Sequence, residues 1–147
     1  MVVKCIANRG NEGCLVVPFD YKKSFSDENF ETSKELYTIS REISGYFITP
    51  QRKYTVFGLL IFCEKVRYLI SDDNGLPNFF PSDLFAVFEP SILFDWEFRT
   101  FPVDGKLLTL IGYSDLVEYD SFRNLIRHKP CAVESFLKYK TEVSERS

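Results

Sequence analysis

Two adjacent carboxylates, Asp72 and Asp73, stand in the stretch "YLISDDNGLPNFFP" (Tyr68 to Pro81), after an apolar run and before an Asn-Gly pair, two prolines and two phenylalanines. With Asn74 they offer hard oxygen ligands of the kind that hold calcium. A calcium loop also needs ligands at alternating positions and a bidentate glutamate near its end. Leu76, Pro77, Phe79 and Phe80 fill that space, so no metal site is expected. A proton-sharing acid pair fails on geometry, because neighbours in an extended chain point to opposite faces. Asp and Asn readily accept backbone hydrogen bonds and Asn-Gly tolerates left-handed dihedrals, so a tight turn is the expected role.

The remaining reactive side chains are sparse. His128 is the single histidine and stands between Arg127 and Lys129 at the end of a helical pattern, where it complements the helix dipole without a visible orienting group. Cys5, Cys14, Cys63 and Cys131 show neither zinc-knuckle nor CxxC spacing, and read as buried thiols of a reducing compartment. Phosphate-cradling and nucleophile-elbow motifs are missing, and "NRGNEG" lacks the lysine and following helix that a phosphate loop needs. These residues assemble no acid, base and nucleophile set, which points to a non-enzymatic protein without a cofactor. Trp96, between Asp95 and Glu97, has two readings: a core indole, or an aromatic anchor with an acidic rim suited to a basic partner.

The elements that must position these residues change character along the chain. Val2 to Ala7 reads as a first strand ending at "NRGNEG", and Cys14 to Val17 as a second short apolar run closed by Pro18. Asp20 to Phe30 is a polar connection. Glu31 to Ser44 spaces Leu36, Ile39 and Ile43 for a short helix, although β-branched residues oppose it and leave an extended segment open. Tyr54 to Cys63 and Val66 to Ser71 form a β-hairpin turning at Glu64-Lys65. Its first strand is apolar on both faces, hence central; its second is expected to expose one side. Gly58 marks a bulge or bend. Leu84 to Phe88 and Asp95 to Phe101 are further strands. Leu116 to Ile126, opened by Ser114 and Asp115, is a helix broken at Lys129-Pro130. A last helix starts at Pro130, with Val133, Phe136 and Leu137 inward, Glu134, Lys138, Lys140 and Glu142 in water, and a fraying tail "TEVSERS".

These elements predict an α+β fold: a curled antiparallel sheet or small SH3-like barrel, followed by C-terminal helices over 114–143. A length of 147 residues fits a single domain that can bury roughly 68–70% of its unfolded surface. The 15 Phe and 8 Tyr predict an aromatic core. A net charge of -3 disfavours nucleic acid as a direct partner and mildly favours a basic protein. The N-terminal stretch carries charge and glycine before any signal-like apolar core, and no apolar run is long enough to span a membrane, so a cytoplasmic location is expected.

Several pieces occur together and in order: "MVVKCIAN", "RKYTVFG" (Arg52 to Gly58), Tyr68 to Val87, Trp96-Glu97-Phe98 and "AVESFLKYK". In these the chain resembles the immunity proteins of bacterial contact-dependent growth inhibition and related polymorphic toxin systems. The match covers about two thirds of the chain and leaves 20–45 as a variable insertion. The resemblance implies stoichiometric neutralisation of a cognate toxin domain in the cytoplasm. Asp72, Asp73, Asn74, Asp95 and Glu97 would then be polar contacts, with Phe79 and Phe80 as anchors. A different class, an SH3-like adaptor or regulatory protein-binding module without a toxin partner, fits the same elements.

Overall fold

Alternating patterning through the middle of the chain gives way to helical spacing near its end, and the architecture follows that change. The computed structural model describes residues 1–7, 48–93 and 95–146. The apolar run at 14–17, the connection at 20–30, the helix expected at 31–44 and the insertion at 20–45 lie outside the described residues. The described strands are β1 (Val2–Cys5), β2 (Lys53–Thr55), β3 (Gly58–Phe62), β4 (Lys65–Ser71), β5 (Pro77–Pro81), β6 (Phe85–Glu89), β7 (Glu97–Val103) and β8 (Lys106–Gly112). Helices α1 (Tyr119–Ile126) and α2 (Pro130–Arg146) follow, and a 3-10 turn, Ser82–Leu84, joins β5 to β6.

The strands form two antiparallel sheets, a small one in the order β2-β1-β6 and a large one in the order β5-β4-β3-β8-β7. β2 runs on into β3 through Val56 and Phe57, and β5 runs on into β6, so two stretches of chain belong to both sheets. The result is the expected α+β fold with curled sheets, without closure into a barrel.

Strand alternation sorts the core into two clusters, one on each face of the large sheet. Leu60, Phe62, Leu69, Phe79, Leu108 and Leu110 pack with Phe122, Leu125, Phe136 and Tyr139 of the helices. Tyr68, Ile70 and Phe80 pack with Val3, Cys5, Tyr54 and Phe85 of the small sheet. Helices, large sheet and small sheet are thus three layers, with aromatic edge-to-face pairs in both clusters, such as Phe79–Phe122 and Tyr68–Phe85.

Several expectations shift. The hairpin turn falls on Cys63-Glu64, both with positive φ, and brings Phe62 opposite Lys65. A two-residue turn of this hand matches strand twist, which moves it one residue from the polar pair in the sequence. β4 is buried on both sides from Arg67 to Ile70, because it too is flanked by strands and covered by both layers. Arg67 is only 2% exposed. β5 and β8 are additional strands. β5 lies at the border of the large sheet, where Pro77 and Pro81 are tolerated. The first helix starts at Tyr119, after Leu116 and Val117 have entered the core from a turn. In α2 the inward face is Ala132, Phe136 and Tyr139, Leu137 is exposed, and the helix continues to Arg146, within the tail expected to fray.

Gly58 and Gly112 are cross-strand partners in β3 and β8. A Cβ on either would collide with the Leu116 side chain, so the pair forms a slot that seats the segment leading to α1. Helix α1 ends in a Schellman arrangement, with Lys129 N–H donating to the Asn124 carbonyl at 2.9 Å and His128 N–H to that of Leu125 at 3.0 Å.

Candidate interaction surface

The hairpin end of β4 and β5 is built from the inside by Asp72. Its Oδ1 accepts the backbone N–H groups of Asn74 (2.9 Å) and Leu76 (3.0 Å), and its Oδ2 accepts the Asn78 amide (2.9 Å). Backbone bonds from Asp72 to Leu76 and from Gly75 to Asp72 close the loop, with Gly75 in the left-handed region at φ 82°. Asp72 is 5% exposed, so this carboxylate is an internal turn acceptor and not a surface contact.

Asp73 points the other way and fastens the turn to the loop before β2. Thr49 Oγ1 donates to it at 2.7 Å, Arg52 Nη1 at 2.9 Å and Tyr54 Oη at 2.7 Å, while Tyr54 Oη accepts the Thr49 N–H at 2.7 Å. Burial raises the Tyr54 hydroxyl above its ordinary pKa, and the hydrogen bond to the Asp73 carboxylate raises it further. Asp73 and Asn74 lie at the surface, with the half-exposed Leu76 beside them.

Asp95 and Glu97 lie at the start of β7. Glu97 faces Gly112 and β4 ends next to Asp72, so the two acidic groups share one end of the large sheet, separated by three strand spacings of roughly 14 Å in all. Trp96 turns inward between them: its indole N–H donates to Tyr139 Oη at 3.0 Å, and it packs against both core clusters. Tyr139 Oη donates to Asp95 at 3.3 Å, and its ring stacks on Tyr113 at 4.5 Å. The core reading of Trp96 is the observed one. Asp115 and Glu118 extend the acidic end beyond β8; Ser135 Oγ donates to Asp115, and Arg99 pairs with Glu118 at 3.2 Å.

Phe79 and Phe80 are corrected outright. They are 2% and 1% exposed and point into opposite core clusters, so neither is a surface anchor. Exposed aromatics among the described residues include Phe98, at 65%, one residue after Glu97, and Phe88, at 58%. Among the described residues, no second layer covers the Phe98 side of β7 closely enough to bury it. The sequence does not mark Thr49, Arg52 and Tyr54 as a unit with Asp73, since nothing local signals contacts between residues 19 to 24 positions apart.

The other reactive groups have structural surroundings. His128 Nε2 lies 2.8 Å from the Pro77 carbonyl and 3.1 Å from Asn78 Oδ1; both are acceptors, so this nitrogen carries the proton and pins the end of α1 to β5. Cys5 is buried and its thiol is raised by desolvation, whereas Cys131 is exposed, against expectation. A cleft of about 190 Å³ between the helices is lined by Asp115, Ser121, Asn124, Cys131 and Ser135. Among the described residues, no three His, Cys, Asp or Glu side chains are placed to hold a metal ion. No described helix is long and apolar enough to cross a membrane. Compared with family models, curated proteins and solved structures, the chain finds no match in any of the three.

Proposed function

We propose that this chain is an immunity protein that binds a cognate toxin domain stoichiometrically in the cytoplasm, through the acidic end of its large sheet. The observation that carries this reading is the grouping of Asp73, Asn74, Asp95 and Glu97 at one end of the large sheet. The ordered motifs in the sequence supply the toxin context. Asp73 and Asp95, held by their hydrogen bonds, lose little entropy on docking, and an acidic rim accelerates encounter with a basic surface. Asp72 acts from behind, by holding the loop that presents Asp73 and Asn74.

Coexpression with the toxin domain encoded beside it should rescue growth, and the two proteins should copurify one to one. Glu97→Lys should slow association several-fold at low salt and flatten its salt dependence, with little change in thermal stability, whereas Asp95→Lys should slow association and also lower stability by removing the acceptor of the Tyr139 hydroxyl. Unchanged association kinetics would remove this end from the interface. Failure of both rescue and copurification would overturn the immunity reading.

A further inference from the structure

β7 stands at the border of the large sheet, and the register of its hairpin fixes which backbone groups point away from β8. Asp104 and Gly105, both with positive φ, form a two-residue turn closed by Val103 opposite Lys106. Such a turn makes its closing pair a hydrogen-bonded one, and this character recurs at every second residue. Val103, Phe101, Arg99 and Glu97 therefore direct their N–H and C=O groups to β8. Phe98 and Thr100 direct theirs outward, as does the carbonyl of Pro102, whose nitrogen has no proton to offer.

The side chains along this border are self-complementary. Glu97 and Arg99 have opposite charge and flank Phe98 symmetrically, on the helix side of the sheet, while Phe98 projects from the other side at 65% exposure. We propose that two copies of this chain pair antiparallel through β7, about a two-fold axis at Phe98, to continue the large sheet across the interface. Each Phe98 N–H donates to the other copy's Phe98 carbonyl, and each Thr100 N–H to the other copy's Trp96 carbonyl. Glu97 lies opposite Arg99 of the second copy in a non-hydrogen-bonded pair, the closer of the two pair types, and the two Phe98 rings meet on the far side.

Pro102 falls beyond the paired stretch, so its missing proton removes nothing. A register centred on Thr100 would instead set Pro102 opposite Phe98 and Arg99 opposite Phe101, giving up both ion pairs. The Arg99–Glu118 pair is about half exposed on each side and therefore weak, which leaves Arg99 able to swing to Glu97 of the second copy. The contact is small, so a weak dimer is expected, with a Kd of about 10–100 μM. This pairing does not depend on the toxin-binding reading.

Sedimentation of the full chain from about 5 to 500 μM tests it. Glu97→Arg alone and Arg99→Glu alone each set like charges opposite at two symmetric positions, and each should weaken the dimer about ten-fold. The double exchange Glu97→Arg/Arg99→Glu should restore it, which only this register predicts. Thr100→Pro removes an outward proton without touching the β8 ladder and should abolish pairing. In a Cys131→Ser background, Phe98→Cys should form a covalent dimer on oxidation, since paired Cα atoms lie about 5.5 Å apart. Thr100→Cys should not, at roughly 13–14 Å. A monomer at all concentrations, a dimer indifferent to the single reversals, or a double exchange without rescue overturns the proposal, as does capture of this border by an unrelated strand.

Discussion

Asp72 and Asp73 are chemically identical neighbours with unlike tasks, and substitution should separate them. Asp72→Ala leaves two N–H groups and one amide without their acceptor and should cost about 2–3 kcal/mol, seen as a lower urea midpoint. Asp72→Asn keeps one acceptor oxygen and should lose less. Asp73→Ala, partly exposed, should cost about 1–2 kcal/mol, and a double-mutant cycle with Tyr54→Phe should show coupling near 1 kcal/mol. A cycle that closes additively would deny the Tyr54–Asp73 bond any energetic role. The turn itself was legible from Asn74-Gly75, because Asn-Gly chemistry is local. That Asp72 would turn inward and Asp73 reach Thr49 and Arg52 was not, because acidic letters carry no sign of distant donors.

The elements follow the hydrophobic period wherever it is uninterrupted. The β3–β4 hairpin and α2 were legible because each has an apolar run of suitable length, whereas β5 was hidden by its bounding prolines, which mimic loop composition at a position where a border strand accepts them. β8 needed the Asp104-Gly105 turn as its clue. Tertiary space explains the two glycines better than any local rule. Gly112→Ala would push a methyl into Leu116, and also toward Gly58 Cα and the Phe57 carbonyl at 3.2 Å, so a loss of about 2 kcal/mol is expected in denaturant titration. Gly75→Ala has open space around it and suffers only from its positive φ, so about 1 kcal/mol should go there. Equal effects at the two sites would contradict the slot.

Across the whole molecule, buried hydroxyls and a thiol make stability sensitive to alkali. Burial raises Tyr54, Tyr68 and Tyr113 above the ordinary tyrosine value of 10.0, helped by Asp73, Asp83 and Asp115 respectively, and burial raises Cys5 above 9.0. The folded protein then holds these protons more firmly than the unfolded chain does. Their stabilising contribution is whole below about pH 9 and declines as pH climbs through the raised values. The urea midpoint should fall above pH 10, with tyrosinate absorbance near 295 nm appearing in step with unfolding; Tyr68→Phe should soften the decline. The α+β class and the aromatic core were readable from composition and period, but the stacking of three layers was not, since no local signal says which strand ends one sheet and opens another.

Because β2 passes into β3 and β5 into β6, neither sheet can be peeled off without drawing on the other. The protein should therefore loosen as a single body. Backbone amides of Leu60 and Leu69 should exchange with deuterium only as fast as those of Val3, at the rate of complete unfolding, with no slower-melting remnant left behind.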